Sequence, residues 1–174
     1  GASTITQQLL KNNVFDFMSE DTLIEKIERK LQEQYLAVKL EDIMTKDEIL
    51  EAYLNTINLG QNTLGIQAAA NRYFNKDVKD LTLSEAAVIA GITKSPNKYN
   101  PVTYPEENAA RRELVLEAMK RNNHISQAEY DEAMADDVYE RIQTTNETKS
   151  TTAVYSYYVD ATIEQVINDL QEVK

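Results

Sequence analysis

Two short clusters of polar side chains in this sequence could bind an anion. The first lies at the start of the chain and consists of Ser3, Thr4, Gln7, Gln8 and Lys11. At helical spacing the last three would present two amides and an ammonium, and the residues before them would supply backbone N–H groups at a helix start, where anions bind well. A surface helix capped by Ser3 or Thr4 accounts for the same residues. The run therefore predicts either a site for phosphate and sugars or an N-capped surface helix.

The second cluster consists of Arg29, Lys30 and Glu33. On a helix the two cations precede the carboxylate by four and three residues, so the three side chains lie close together. The cations could meet diphosphate oxygens, and the carboxylate could orient a metal, an amine or a hydroxyl. An exposed ion pair worth roughly 0.3–0.5 kcal/mol explains the same spacing. Asn55 is a further candidate because it is a weak helix former in a helical segment, although capping or packing would explain it as well.

The composition excludes several classes of function. A net charge of −11 argues against nucleic-acid binding. The chain has no cysteine and one histidine, so it has neither a disulfide framework nor a thiolate metal site, and a Ser-His-Asp triad is not expected. No segment approaches the roughly 18 consecutive apolar residues of a transmembrane helix.

The spacing of apolar residues predicts an all-α fold. Only four glycines and three prolines interrupt the chain, and apolar residues recur every three or four positions. Capping-box patterns begin helices after Thr45, Thr82 and Ser126, and we expect glycines to end the first two at Gly60 and Gly91. A helix predicted over residues 22–44 carries one apolar face, made of Leu23, Ile27, Leu31, Tyr35 and Val38.

Four stretches together resemble the glycosyltransferase domain of class A penicillin-binding proteins, the family 51 peptidoglycan glycosyltransferases. Residues 1–12 (GASTITQQLLKN) are similar to the second motif of that family, and residues 29–41 (RKLQEQYLAVKLE) to the third. Residues 46–60 (KDEILEAYLNTINLG) are similar to the fourth, and residues 65–76 (GIQAAANRYFNK) to the fifth. The chain departs from the pattern at Ala2, where a second glycine is usual, and a methyl group there restricts how closely the backbone approaches a ligand.

The resemblance implies a lysozyme-like all-α fold that lacks the N-terminal part carrying the first motif. The implied reaction polymerises lipid II into glycan strands and releases undecaprenyl diphosphate, with a base Glu in the first motif. Because that motif would precede Gly1, we expect the fragment itself to be inactive. The catalytic residue carried over is Glu33, with a divalent cation, Mg²⁺ or Mn²⁺, bound through it. The substrate-binding residues carried over are Ser3, Thr4, Gln7, Gln8, Lys11, Arg29, Lys30 and Asn55.

The resemblance also predicts domain organisation, partners and location. Residues 1–143 would form the glycosyltransferase domain, and residues 144–174 a linker and the start of a segment leading to a transpeptidase domain. Lipid II and the growing glycan strand would be the substrates, and an anchor upstream of Gly1 would hold the full-length protein at the extracytoplasmic face of the bacterial cell membrane. The apolar patch of Val14, Phe15, Phe17 and Met18 would face lipid or belong to the core. We also expect self-association through apolar surface left uncovered by the truncation.

Two rival functions remain on the sequence alone. One is a lysozyme-like glycan hydrolase, which needs an acid carboxyl and a second carboxyl roughly 5–9 Å away. The other is a non-catalytic interaction module, but the intact motifs argue against it. Glycan release from preformed peptidoglycan would favour the hydrolase, and binding of a diphosphate-lipid analogue would favour the transferase.

Overall fold

The computed structural model describes residues 3–15 and 22–142, and these residues are predominantly helical. Within this part of the chain the only β-type pairing is one isolated antiparallel bridge between Asn58 and Leu64. The all-α prediction is confirmed. The α-helices are α1 (Ile5–Leu10), α2 (Leu23–Ile43), α3 (Lys46–Thr56), α4 (Ile66–Phe74), α5 (Leu83–Ile92), α6 (Pro105–Arg121) and α7 (Gln127–Ala135). A π-helical turn spans Lys11–Phe15, and 3-10 turns span Val78–Asp80 and Val138–Arg141.

The described residues divide into two compact units. The first contains α1 to α3, up to Ile57, and the second contains α4 to α7, from Asn58 onwards. The predicted linker and C-terminal element, residues 144–174, lie outside the described residues. No helix in the described ranges is both long and apolar enough to cross a bilayer.

Capping boxes fix where several helices begin. The three predicted boxes are confirmed: Thr45, Thr82 and Ser126 each accept a hydrogen bond from the backbone N–H three residues later. In each, a Glu at that third position bonds back to the capping residue's N–H, which satisfies two otherwise unpaired donors. α1 and α2 begin in the same way, at Thr4 and Thr22. The five helix starts are therefore encoded locally.

In the first unit, α1 packs against both α2 and α3. The apolar core there consists of Leu9, Leu10, Phe15, Leu36, Ala37, Leu40, Met44, Ile49 and Ala52. Phe15 is buried in this core, and Val14 packs against it. At these two positions the predicted apolar patch therefore belongs to the core. Phe17 and Met18 lie outside the described residues.

The predicted apolar face of α2 does not face this core. Leu23, Ile27, Leu31 and Val38 are 77%, 56%, 61% and 64% exposed, and Tyr35 is exposed too. The buried residues of α2 are instead Glu33, Leu36, Ala37 and Leu40. The 3.6-residue period identifies a real stripe, but α2 carries a second, narrower apolar stripe on its opposite side, and this second stripe packs on α1.

The predicted end of α3 at Gly60 is wrong, because the helix ends at Thr56 and Ile57 is extended. Asn58 bridges to Leu64, and Gly60, Gln61 and Asn62 form the intervening turn with positive φ. The side chain of Asn58 accepts a hydrogen bond from the Gly60 N–H at 2.9 Å. Gly60 therefore forms part of a turn and does not end a helix. α5 ends one residue after the predicted Gly91.

The second unit is organised around a buried asparagine on α6. Asn108 is fully buried, and its amide donates to the carbonyls of Val88 and Tyr99 at 3.3 and 2.7 Å. Its carbonyl oxygen accepts from the Tyr139 hydroxyl at 2.7 Å. One polar side chain thus ties α6 to α5, to the loop before α6 and to the last 3-10 turn. Ala69 and Ala70 on α4 are also fully buried.

Candidate functional site

The N-terminal polar cluster forms a hydrogen-bonded group around the start of α1. The Thr4 hydroxyl accepts from the Gln7 N–H at 3.2 Å, and Gln7 Oε1 accepts from the Thr4 N–H at 3.1 Å. Gln8 Nε2 donates to the Ser3 carbonyl at 3.4 Å. The N-capped helix predicted from these residues is therefore present. It does not exclude a ligand, because Ser3, Thr4 and Gln8 are exposed.

Gln7 keeps donors available for a ligand. Its carbonyl oxygen is engaged in the capping box, but its amide Nε2 makes no hydrogen bond to any described residue. Gln8 is held at both ends, because its Oε1 also accepts from the Tyr53 hydroxyl at 3.4 Å. Burial raises the pKa of Tyr53, so this hydroxyl stays a donor at neutral pH. The two amides are thus oriented by the protein before any ligand arrives.

Lys11 begins the π-helical turn that follows α1. The backbone N–H of Lys11 donates to the carbonyls of Gln7 and Gln8, and the Asn13 amide donates to the Leu9 carbonyl at 2.7 Å. The lysine side chain is exposed and forms no ion pair within residues 3–15 and 22–142. Short π-helical turns often occur at functional sites. Lys11 therefore offers, directly after the two glutamines, a positive charge that no described residue pairs with.

The Arg29–Lys30–Glu33 cluster is more buried than an ordinary surface ion pair. Glu33 is only 1% exposed, and its two carboxylate oxygens bond to Arg29 and, at 2.5 Å, to Lys30. Arg29 is 13% exposed, whereas Lys30 is 46% exposed and can donate to a ligand as well. The alternative of an exposed ion pair is wrong for Glu33.

A divalent metal at Glu33 does not fit this arrangement. Both carboxylate oxygens already accept from cations, and a metal would compete with two positive charges. Nowhere in the described ranges do three or more His, Cys, Asp or Glu side chains group so that they could hold a metal ion. The Mg²⁺ or Mn²⁺ expected from the resemblance stays a prediction, and the function proposed below does not depend on it.

The structure brings seven of the predicted residues together in two groups and leaves Lys11 and Asn55 outside both. Ser3, Thr4, Gln7 and Gln8 are joined by hydrogen bonds on α1, and Arg29, Lys30 and Glu33 are joined on α2. Since α1 packs on α2, both groups belong to the first unit. Asn55 is exposed on α3 and makes no hydrogen bond to a described residue, so its role stays a prediction.

Two residues next to this site make contacts that the sequence does not predict. Glu41, near the end of α2, accepts a hydrogen bond from the buried Thr6 hydroxyl at 2.6 Å. Tyr53 reaches Gln8 from α3. Both contacts join residues at least 35 positions apart, and no local pattern predicts such a pairing. The only available signal is that Thr6 is a β-branched polar residue in a short helix.

Comparison with known proteins gives consistent results. Residues 1–120 match the family model described as Transglycosylase. The chain is 41% identical to penicillin-binding protein 1A of Clostridium acetobutylicum over 98% of this chain and 22% of that protein. It is 47% identical to penicillin-binding protein 1A of Vibrio cholerae, over 79% of this chain and 16% of that protein. The chain spans about a fifth of the length of the curated relatives it matches.

A solved structure shows the same likeness. The 2.6 Å crystal structure of penicillin-binding protein 1A from Haemophilus influenzae superposes with a TM-score of 0.55 at 37% sequence identity. The match covers 70% of this chain and 17% of that one.

Proposed function

The chain belongs to the transglycosylase family, and from this we propose that it serves peptidoglycan synthesis by binding the diphosphate of a lipid-linked donor. The reaction it serves is the polymerisation of lipid II into glycan strands, with undecaprenyl diphosphate as the leaving group. Because that substrate is anchored in a bilayer, the chain works at the bacterial cell membrane. The growing glycan lies outside the cytoplasm, so the chain works on the extracytoplasmic face.

The observation that carries the proposal is the buried carboxylate of Glu33 between two cations. A carboxylate that is only 1% exposed costs free energy of folding unless it is paired with a cation. Here the carboxylate of Glu33 holds Arg29 and Lys30 in place on one side of α2. Negative charge develops on the diphosphate as the sugar carbon leaves it, and prepositioned cations stabilise that charge without reorganising. Lys11 adds a third cation from α1, and Gln7 adds amide donors.

Glu33 positions these cations and does not act as the base. Polymerisation requires a base that takes the proton of the attacking 4-hydroxyl. Both oxygens of Glu33 already accept hydrogen bonds from cations, and the acceptor approaches from the side opposite to the departing diphosphate when the sugar carbon inverts. We therefore expect this chain alone to bind lipid II without polymerising it.

Incubation with fluorescent lipid II in detergent micelles tests this function. We expect saturable binding by fluorescence anisotropy, no glycan polymer on gels, and no soluble product from preformed peptidoglycan. Release of soluble glycan from peptidoglycan would support the lysozyme-like hydrolase instead. Absence of lipid II binding by a folded chain would support the non-catalytic interaction module.

The exposed apolar stripe on α2 supports a second proposal, that the chain self-associates. The stripe consists of Leu23, Ile27, Leu31 and Val38, which follow one another at intervals of four and seven positions. Each is more than half exposed, and an exposed apolar surface of this kind is unusual for a soluble monomer. Two copies pairing through this stripe would bury it. Leu31→Glu should then shift sedimentation towards the monomer, while Leu114→Glu, at an exposed leucine of α6, should not. A chain that is monomeric at every concentration would contradict self-association.

A further inference from the structure

We propose that Glu41 is a positioning residue for the donor site. Through its hydrogen bond to Thr6 it fixes the orientation of α1 on α2, and so keeps Lys11, which directly follows α1, directed at the same diphosphate as Arg29 and Lys30 on α2. This inference rests on the function proposed above. It assigns a role to a side chain outside both clusters of candidate binding residues.

The first step of the argument is that α1 cannot hold its own orientation. It contains six residues, well below the roughly 12–15 that an isolated helix needs in water. Its order must come from packing, and the buried residues it contributes to the core are Leu9 and Leu10. Packing of side-chain ridges into grooves sets the crossing angle of two helices only to within about 15–20°, so these two leucines keep α1 close to α2 but leave its precise orientation open.

The second step is that the Thr6–Glu41 bond supplies this missing direction. Thr6 is 5% exposed, and its hydroxyl donates to Glu41 Oε1 at 2.6 Å. A hydrogen bond to a carboxylate is roughly twice as strong as one between neutral groups, and it depends steeply on angle. If the bond is lost, the buried hydroxyl loses the acceptor that joins it to α2, so rotation of α1 away from α2 is no longer opposed by this contact.

The third step is that Glu41 acts at a distance from the ligand. It lies eight residues after Glu33 on the same helix, which is about 12 Å along the axis. Thr6 faces this end of α2, whereas the cations lie near Glu33. A small rotation of α1 about Thr6 therefore moves Lys11 relative to Arg29 and Lys30 without any change at the cations themselves.

A weaker contact supports α1 from its other neighbour. The Tyr53 hydroxyl on α3 lies 3.4 Å from Gln8 Oε1, at the long end of hydrogen-bond distances. α1 thus receives polar side-chain contacts from both α2 and α3, and of the two described here the shorter is that of Glu41. We assign the main positioning effect to Glu41 for this reason.

Two measurements on the whole chain test the inference: amide hydrogen exchange of residues 5–10, and affinity for farnesyl diphosphate by calorimetry. We expect Glu41→Ala and Thr6→Val each to speed exchange in α1 several-fold while exchange in α3 stays unchanged. The binding-competent orientation is then less populated, so affinity should fall about tenfold, or about 1.4 kcal/mol. Glu41→Gln and Thr6→Ser keep an acceptor and a donor, and should restore most of both properties.

Asp42→Ala is the matched control, because Asp42 is an exposed acid next to Glu41 whose side chain makes no hydrogen bond to a described residue. It should behave like the wild type in both measurements. The inference is overturned if Glu41→Ala matches Asp42→Ala in α1 exchange, or if Glu41→Gln is as impaired as Glu41→Ala. A wild-type chain that does not bind farnesyl diphosphate would contradict the proposed function, while the exchange measurement would still decide the role of Glu41.

Discussion

The ammonium of Lys30 lies 2.5 Å from a carboxylate oxygen of Glu33, one turn further along α2. The other oxygen of Glu33 bonds to Arg29. Because Glu33 is almost fully buried while Lys30 is half exposed, the carboxylate is the fixed member of the cluster and Lys30 is its accessible end. A diphosphate that reaches Lys30 therefore meets a cation whose position is already set.

Replacing Glu33 should destabilise the chain more than replacing Lys30. Glu33→Ala leaves a cavity and removes the buried carboxylate that Arg29 and Lys30 share, which should lower the free energy of unfolding by about 2–4 kcal/mol. Lys30→Ala removes a half-exposed partner and should cost less than about 1 kcal/mol. Urea denaturation measures both values. Gln32→Ala, at an exposed position between them, is the control, and a Glu33→Ala chain as stable as this control would contradict the buried pairing.

Asn108 and Tyr139 should be energetically coupled. Asn108→Ala leaves the half-buried Tyr99 carbonyl without this donor and the Tyr139 hydroxyl without its acceptor, at a cost of roughly 2–4 kcal/mol. Tyr139→Phe removes one hydroxyl and should cost about 1 kcal/mol. Since both changes remove the 2.7 Å bond between the two side chains, the double variant should lose less than the sum of the single losses. Strict additivity in chemical denaturation would show that this bond contributes nothing.

Two glycines of the second unit should respond differently to alanine. Gly60 has φ +80°, and a Cβ there would lie 3.1 Å from the Asn100 amide and 3.3 Å from the Tyr73 hydroxyl. Gly60→Ala should therefore cost about 1–3 kcal/mol through backbone strain and crowding. Gly91 is helical, and its nearest neighbour would be the flexible Arg111 side chain at 3.3 Å, so Gly91→Ala should be close to neutral. Equal melting temperatures for the two variants would refute this account of the turn.

The second unit should become less stable as the pH falls below about 4. Burial raises the pKa of Glu85, but hydrogen bonds from Lys76, the Thr82 backbone and Arg141 outweigh it and hold the pKa below its usual value. Hydrogen bonds from Arg141 also lower the pKa of Asp136. Groups with a depressed folded pKa stabilise the fold above the unfolded pKa, roughly 4, and lose that contribution as pH falls through the folded value.

The corresponding measurement is urea denaturation at pH 7 and pH 3 for the wild type and Glu85→Gln. The wild type should lose more free energy of unfolding between these pH values than the variant, because the variant has no carboxyl to protonate at this position. Glu132→Gln, at an exposed acid of α7, should retain the wild-type pH dependence. An equal pH dependence of all three chains would contradict the role assigned to Glu85.

The sequence predicts those features that depend on neighbouring residues. The capping boxes at Thr45, Thr82 and Ser126 are local, since a side chain satisfies a donor three residues away, and all three form. The helical spacing of Arg29, Lys30 and Glu33 likewise suffices to bring the three side chains together, and they do form one cluster. What spacing cannot show is that Glu33 is buried, because burial depends on how α1 packs against α2.

The predictions that fail depend on tertiary structure. Hydrophobic periodicity locates a stripe on α2 from Leu23 to Val38, but it cannot tell which side of a helix with two apolar stripes meets the core. Glycine often ends helices, which favours a helix end at Gly60, whereas the pairing of Asn58 with Leu64 uses this glycine in a turn. The contact between Thr6 and Glu41 joins distant positions and has no sequence signature.

The most direct test of the account is calorimetric binding of moenomycin, a phosphoglycolipid that mimics the growing glycan for the family this chain resembles. The wild type is compared with Lys11→Ala and with Lys79→Ala, which removes an exposed lysine from the second unit. Loss of a charge-assisted contact of ~1.5–3 kcal/mol should weaken binding roughly tenfold or more in Lys11→Ala, with Lys79→Ala unchanged. Equal affinities of all three chains, or no binding by a folded wild type, would contradict a diphosphate site at Lys11.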